Sequence, residues 1–342
     1  MGVWLGGFCR PTSAMFLLTE RCNARCVHCD IWKNKGREES PGLTGWSKVL
    51  QDLHEWVGPI SVVFTGGEAL LTPFAVELAS YACSLGFPLE VLTHGYWPDQ
   101  KKIEALARAN PWRITISMDG VGETHSVIRG RTDFFEKTDQ TIQTLLRIRS
   151  AGALRYTIRL KTVVMDQNLD NVSSVAQYAN RPGMEVFYQP IEQNYNTPED
   201  PAWFERSPNW PRDIEKAVRI VGELRQLRSQ GLNIANSESQ LDAMARYFAD
   251  PASLRVVTQA HAAHRRRPPC AALSTLQFQS NGDVTVCSNR PPVGNVKSSS
   301  IRAIWSQRPR YWGSECCLES GPGQLVNSKS GPPQLPADAV KV

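Results

Sequence analysis

Short apolar segments alternate with longer amphipathic segments through the first half of the chain. The apolar runs have the length and composition of β-strands and lie at residues 15–19, 60–64, 89–93, 112–117, 156–164 and 185–189. Between them, apolar residues recur at helical spacing, as at 44–56, where Thr44 can cap the helix. Six repeats of strand and helix predict a parallel sheet with helices packed outside it.

Two architectures fit these repeats, a barrel-like sheet and a doubly wound open sheet. In both of them the connections are right-handed, and ligands bind at the carboxyl ends of the strands. The residues that directly follow the predicted strands are therefore the candidates for a functional site.

Three cysteines follow the first predicted strand, Cys22, Cys26 and Cys29, with the spacing C-x3-C-x2-C. Thiolates this close together in one loop can face a single metal centre. Iron–sulfur clusters normally take four cysteines, so a triplet leaves one iron open for another ligand. A structural zinc site with His28 as fourth ligand is the alternative, as are unrelated buried or disulfide-bonded cysteines.

The second strand leads into Gly66-Gly67-Glu68. Two glycines let the backbone approach a ligand closely, and the carboxylate beside them can hold an ammonium group. The turn after the third strand contains His94, which can face a cofactor or only satisfy the turn.

Polar side chains also follow the fourth strand, in the pattern Ser117-x-Asp119-Gly120 with Arg129 further along. A hydroxyl and a carboxylate suit a ribose, and an arginine suits a carboxylate through two parallel hydrogen bonds. For Asp119 an ordinary Asp-Gly turn is the competing interpretation. Gln189, at the end of the sixth strand, is a further polar candidate at the same edge of the sheet.

Together these motifs resemble the signature of the radical SAM superfamily. The resemblance implies a partial (β/α)6 TIM-like barrel with a [4Fe-4S] cluster on the cysteine triplet. It also implies that S-adenosylmethionine binds the open iron, with its amine at Gly66, Gly67 and Glu68, its ribose near Ser117 and its carboxylate at Arg129. Asp119 is then a candidate for the ribose, and Gln189 is a candidate for the adenine.

The later cysteines carry a second resemblance. Leu276 and Phe278 alternate with polar residues before a Ser-Asn-Gly-Asp turn, which predicts a β-hairpin. With Cys270 before it, Cys287 after it and a helix near residues 300–305, the segment resembles a SPASM or "twitch" domain. That resemblance implies an auxiliary iron–sulfur cluster; a zinc hairpin is the alternative.

The usual second run of cysteines in such domains is absent, and only the adjacent pair Cys316 and Cys317 remains. Adjacent side chains of an extended chain point apart. The expected ligands are therefore Cys270, Cys287 and one of this pair. Cys83 is expected to be a core thiol.

The predicted organisation has four parts: a core at 1–190, a helical and loop connection at 191–269, an auxiliary β-hairpin and helix domain at 270–318, and a tail at 319–342. Ser237 is expected to cap a helix in the connecting segment. The tail is rich in Gly, Pro and Ser and is expected to be disordered.

The resemblance implies an enzyme that forms a 5′-deoxyadenosyl radical and abstracts a hydrogen atom from a peptide or small-molecule substrate, for oxidation or another C–H modification. An external electron donor such as flavodoxin or ferredoxin is expected. Two alternatives are a GTP-cyclising enzyme of molybdenum cofactor synthesis, whose Gly-Gly tail this sequence lacks, and a non-enzymatic zinc or iron–sulfur protein.

The composition of the chain limits the partners and the cellular compartment that we expect. The net charge of +5 over 342 residues is diffuse and does not indicate a nucleic-acid partner. Nine unevenly placed cysteines indicate metal binding in a reducing compartment. No apolar run approaches membrane-spanning length, and the apolar start is too short for a signal peptide. We therefore expect a soluble cytoplasmic protein with no membrane partner.

Overall fold

The computed structural model describes residues 10–34, 39–194, 197, 200, 202–251, 274–286 and 291–307. Within them, one mixed sheet has the order β6-β5-β4-β3-β2-β1-β7-β8-β9. Its strands are β1 (Ser13–Thr19), β2 (Ser61–Gly66), β3 (Leu89–Thr93), β4 (Arg113–Ser117), β5 (Thr157–Val164), β6 (Met184–Pro190), β7 (Thr275–Phe278), β8 (Asp283–Thr285) and β9 (Gly294–Asn295).

Helices follow the strands along the chain. They are α1 (Gly42–Val57), α2 (Ala75–Ser84), α3 (Lys101–Ala109), α4 (Glu123–Arg129), α5 (Phe134–Ala151), α6 (Val172–Ala179), α7 (Trp203–Arg206), α8 (Ile214–Ser229), α9 (Glu238–Ala249) and α10 (Ile301–Gln307). Short 3-10 helices lie at Ile31–Lys33, Ala69–Leu71 and Asp166–Asn168. In the part of the chain that the structure describes, no helix is long and apolar enough to cross a membrane.

The order of the first six strands decides between the two architectures. β1 to β6 are parallel and lie side by side in sequence order. With right-handed connections, each step in the same direction places its helix on the same face. A doubly wound sheet requires a reversal of strand order, which is absent from β1–β6. The fold is therefore the predicted partial (β/α)6 barrel.

The two faces of the sheet differ in their side chains. Every second residue of the strands lies fully buried beneath the helices, as Phe16, Phe64 and Ile116 do. The intervening residues lie on the opposite face, here called the open face, and include Met15, Glu90, Arg113, Ser117, Lys161 and Phe187. An alternation of this kind places polar and charged groups inside the partial barrel, where a substrate can reach them.

The predicted hairpin joins this same sheet. β7 and β8 are antiparallel, with Phe278 opposite Val284, as the turn residues predict. β7 also pairs in parallel with β1, so that Phe278 lies beside Phe16. The auxiliary hairpin thus continues the barrel sheet past its first strand. The division of the chain into four segments stays a prediction, and its tail at 319–342 lies outside the described residues.

The first residues of two helices test the capping residues that the sequence predicts. Ser237 caps α9 with a reciprocal bond to Gln240, as expected. The expected cap at Thr44 is wrong, because α1 begins at Gly42. Pro41 precedes that start with a φ of −57°, which suits the first turn of a helix, so the helix begins earlier than the Thr44 signal indicates.

An aromatic cluster holds β7 against β1 and α1. The ring of Phe278 lies 4.6 Å from that of Phe16 and 6.1 Å from that of Trp46, measured between centroids. We expect Phe278→Ala to lower the free energy of unfolding by about 3–5 kcal/mol, measured by urea denaturation. Val127→Ala, at a side chain that is 60% exposed, is the control and is expected to change little. Equal effects of the two substitutions would contradict this packing.

Candidate functional site

The cysteine triplet lies in the loop that follows β1. The backbone of this loop is held by α4, because Arg25 N–H donates to Arg129 O and Val27 N–H donates to Ile128 O. Cys26 is buried, and Cys22 and Cys29 are half-buried; all three are free thiols. They pack against an apolar cluster of Ala24, Tyr96 and Phe134.

The environment of the thiols favours their neutral form when no metal is bound. Burial raises the pKa of Cys22 to about 12, and the negative charges of Glu68 and the other two thiolates add to this effect. A metal centre must therefore displace these protons in order to bind. The soft thiol set in a shared apolar pocket suits an iron–sulfur cluster.

The alternative of a single zinc ion concerns the same three cysteines together with His28. Among the residues that the structure describes, no three His, Cys, Asp or Glu side chains converge closely enough to hold one metal ion. His28, the proposed fourth ligand, has a buried Nδ1 with no hydrogen-bond partner. The iron, zinc and acid-labile sulfide content of the protein distinguishes a cluster from a mononuclear zinc site.

A buried arginine connects the cysteine loop to the end of β4. The guanidinium of Arg129 lies 2.6 Å from Asp119, measured from Nη2 to Oδ2, and its Nη1 donates to Cys26 Sγ at 3.4 Å. Its Nε is buried and has no partner. Each terminal nitrogen therefore contacts a group of the protein, whereas Nε has no hydrogen-bond partner among the described residues.

Asp119 is part of this buried structure and is not an exposed turn residue. Its side chain is fully buried, and Oδ1 accepts from Val163 N–H at 3.0 Å. Although burial favours the protonated form, Arg129 holds the pKa of Asp119 below its usual range. Its contact with a ribose stays a prediction.

The two glycines after β2 have a structural reason that the sequence did not reveal. A Cβ on Gly67 would lie 2.4 Å from Arg21 O, and one on Gly66 would lie 2.3 Å from Thr19 O. At these positions Gly67 N–H donates to Thr19 O and Glu68 N–H donates to Arg21 O. The glycines let the end of β2 lie directly against the cysteine loop, whereas the sequence interpretation assigned them only to the approach of a ligand.

Glu68 is buried at this junction. Its Oε1 accepts from Leu70 N–H at 3.2 Å and its Oε2 from His94 N–H at 2.7 Å. Burial raises the pKa of Glu68 to about 7, and these hydrogen bonds only partly oppose that shift. A positively charged group placed beside this carboxylate would stabilise its ionised form.

His94 satisfies its turn and also holds the cysteine loop. Its Nδ1 accepts from Tyr96 N–H at 2.9 Å, so Nε2 carries the proton and donates to Asn23 Oδ1 at 2.6 Å. Burial lowers the pKa of His94 to about 3, so its 3.3 Å approach to Glu68 is a contact and not an ion pair. Sequence reasoning left the role of this residue open.

A third anchor of the loop was missed from the sequence. Asn209 is buried, and its Nδ2 donates to Val27 O at 3.1 Å. Asn194 donates to the same carbonyl at 3.5 Å. No sequence signal connected these two side chains with the cysteine loop.

Ser117 and Gln189 lie at the carboxyl ends of β4 and β6. Both are half-buried, and neither side chain has a hydrogen-bond partner among the described residues. Cys83 is half-buried against the core, and burial raises its pKa to about 11. The predicted auxiliary ligands Cys270, Cys287, Cys316 and Cys317 lie outside the described residues.

Residues 16–171 match the family described as the Radical SAM superfamily. That stretch contains the cysteine triplet, the Gly-Gly-Glu turn, Ser117 and Arg129. The chain is 25% identical to the AdoMet-dependent heme synthase of Methanosarcina barkeri over 303 aligned residues. This alignment covers 86% of this chain and 82% of that protein.

The chain is also 30% identical to the sporulation killing factor maturation protein SkfB of Bacillus subtilis over 178 residues, 52% of this chain and 42% of SkfB. The chain therefore aligns with less than half of SkfB. Its fold is similar to that of Streptococcus suis SuiB bound to the precursor peptide SuiA, with a TM-score of 0.66 and 15% identity over 91% of this chain and 67% of SuiB.

The close approach at Gly67 gives a direct test of the junction. We expect Gly67→Ala to push the turn of Glu68 away from the cysteine loop and to lower the iron bound after anaerobic reconstitution with iron and sulfide. Gly222→Ala on α8 is the matched control, because its Cβ would meet no atom within 4 Å. Full iron binding by Gly67→Ala would show that this approach is not required.

The buried ion pair gives a second test. Arg129→Met is expected to cost about 3–5 kcal/mol of unfolding free energy, because it leaves Asp119 charged and without its partner. Adding Asp119→Asn should then cost little more, so a double-mutant cycle in urea should show strong coupling. The exposed pair Lys48 and Asp52 should show much weaker coupling. Additive effects at Asp119 and Arg129 would contradict this interpretation.

Proposed function

Because the chain is an enzyme of the radical SAM superfamily, we propose that it abstracts a hydrogen atom from a peptide or small-molecule substrate. One observation supports this most strongly: the free thiols of Cys22, Cys26 and Cys29 lie beside Glu68 and Arg129 at one edge of the sheet. When bound there, a reduced [4Fe-4S] cluster and S-adenosylmethionine supply a 5′-deoxyadenosyl radical.

The three cysteines would hold the cluster, and Arg129 would act on it through Cys26. Its guanidinium donates to the sulfur of Cys26 and places a positive charge beside a thiolate that burial otherwise disfavours. Asp119 would hold Arg129 in this position. Ala24, Tyr96 and Phe134 would keep water from the thiolates, which strengthens these interactions.

The predicted contacts of S-adenosylmethionine use the polar side chains that are not assigned to the cluster. The carboxylate of Glu68 would pair with the methionyl ammonium, and the unpartnered Nε of Arg129 would face the methionyl carboxylate. Ser117 would meet the ribose, and Gln189 would approach the adenine. Gly66 and Gly67 would keep the turn close to the cysteine loop.

An auxiliary cluster on Cys270, Cys287 and one of Cys316 and Cys317 would have one of two roles. It would accept an electron, which gives net oxidation of the substrate, or it would hold the substrate.

Two substrate classes have support among the relatives. The relative that aligns over most of the chain is named for haem synthesis, whereas SkfB and SuiB are a peptide maturation protein and a protein bound to a precursor peptide. We propose a carbon centre in a peptide or in a tetrapyrrole-like small molecule, with flavodoxin or ferredoxin as the electron donor.

Anaerobic reconstitution followed by an assay of reductive S-adenosylmethionine cleavage tests the proposed activity. We expect Cys26→Ala to abolish cleavage, because the open cluster loses a ligand, and Cys287→Ala to retain it. Cys83→Ala is the control and should behave as the wild type.

Two results would contradict the proposal. Colourless protein that carries zinc and no acid-labile sulfide would favour the non-enzymatic alternative. Loss of cleavage in Cys287→Ala alone would show that the two cysteine groups are assigned incorrectly.

A further inference from the structure

The charged side chains of the open face lie at two levels along the strands, a lower level and an upper level that is closer to the carboxyl ends. At the lower level, Arg113 lies 3.5 Å from Glu90 and 3.6 Å from Glu185, and Arg159 lies 2.6 Å from Glu185. Two guanidinium groups therefore face two carboxylates. This level is neutral and leaves no charge to recruit a ligand.

Two residues further toward the carboxyl end of β5 than Arg159, Lys161 lies between Ser117 on β4 and Phe187 on β6, as the strand registers show. Lys161 is half-buried, and its ammonium has no hydrogen bond or ion pair with any described residue. Glu192 is within electrostatic reach but is exposed and does not form an ion pair with it.

Leaving this ammonium unpaired is unfavourable. Burial lowers the pKa of Lys161, although the carboxylates of Glu90 and Glu192 partly oppose the shift. Glu90 already pairs with Arg113, and Asp119 already pairs with Arg129. A partly desolvated cation without a partner is normally compensated by an anion, here one that must come from outside the described residues.

The charges of S-adenosylmethionine already have candidate partners. Glu68 at the end of β2 is assigned to its amine, and Arg129 to its carboxylate. Lys161 lies on β5, which β3 and β4 separate from β2. The ammonium of Lys161 is therefore not assigned to any group of S-adenosylmethionine, and it lies on the side of the open face that is farther from Glu68.

We propose that Lys161 anchors a carboxylate of the substrate on the open face, between Ser117 and Phe187. The inference rests on the proposed function and narrows its substrate class to anionic molecules. Phe187 offers an apolar surface beside the charge, so the ligand combines a carboxylate with an apolar or aromatic skeleton. A propionate of a tetrapyrrole and an acidic peptide residue share this chemistry.

Equilibrium binding to the reconstituted full chain with S-adenosylmethionine present tests the proposal. One probe pair is coproporphyrin III and its tetra-amide; the other is a randomised peptide library, amidated at the C-terminus, with a fixed glutamate or a fixed glutamine. We expect the wild type to bind the acid member of one pair about tenfold more tightly than its neutral member. The pair that shows the preference identifies the source of the carboxylate.

Lys161→Met should remove this preference, and Lys161→Arg should retain it. Lys48→Met, which removes an exposed lysine from α1, should behave as the wild type. Circular dichroism and the iron content of each variant report whether it folds and assembles its cluster.

Three results would overturn the proposal: equal binding of the acid and neutral members in both pairs, a preference that survives in folded Lys161→Met, or a tenfold loss of S-adenosylmethionine affinity in that variant, which would assign the lysine to the cofactor. Failure of the proposed function would appear separately, as loss of reductive S-adenosylmethionine cleavage by the wild type.

Discussion

The buried guanidinium of Arg129 joins parts of the site that the chain builds far apart. It pairs with Asp119 beyond β4 and donates to Cys26 in the loop after β1, while its own backbone receives the N–H of Arg25. A charge this deeply buried is tolerated only when its partners are fixed. The position of the cysteine loop relative to the barrel therefore depends on this residue.

The winding of the sheet explains why a substrate can reach this edge. Because β1 to β6 lie in sequence order, their helices cover one face and leave the open face free for polar and charged side chains. β7 extends the sheet beside β1 and packs Phe278 on Phe16. The same strand that carries the cysteine loop thus lies inside the sheet, where pairing on both edges holds it.

Strand–helix periodicity was sufficient to predict the six parallel strands, and the turn residues predicted the β7–β8 hairpin. The pairing of β7 with β1 was not predicted, because partners more than two hundred residues apart leave no local pattern. In the site, spacing identified Cys22, Glu68 and Arg129 as candidates. It did not reveal that Arg129 bonds Asp119 and Cys26, or that Asn209 holds Val27 O, since these contacts depend on tertiary packing.

We propose that Cys22, Cys26 and Cys29 hold a cluster with one iron open to S-adenosylmethionine. Electron–nuclear double resonance of the reduced, reconstituted protein with S-adenosylmethionine labelled with ¹⁵N at its amine measures this directly. We expect a ¹⁵N coupling to the cluster in Cys287→Ala, where only the triplet's cluster is expected to remain. A normal cluster signal without that coupling would contradict it.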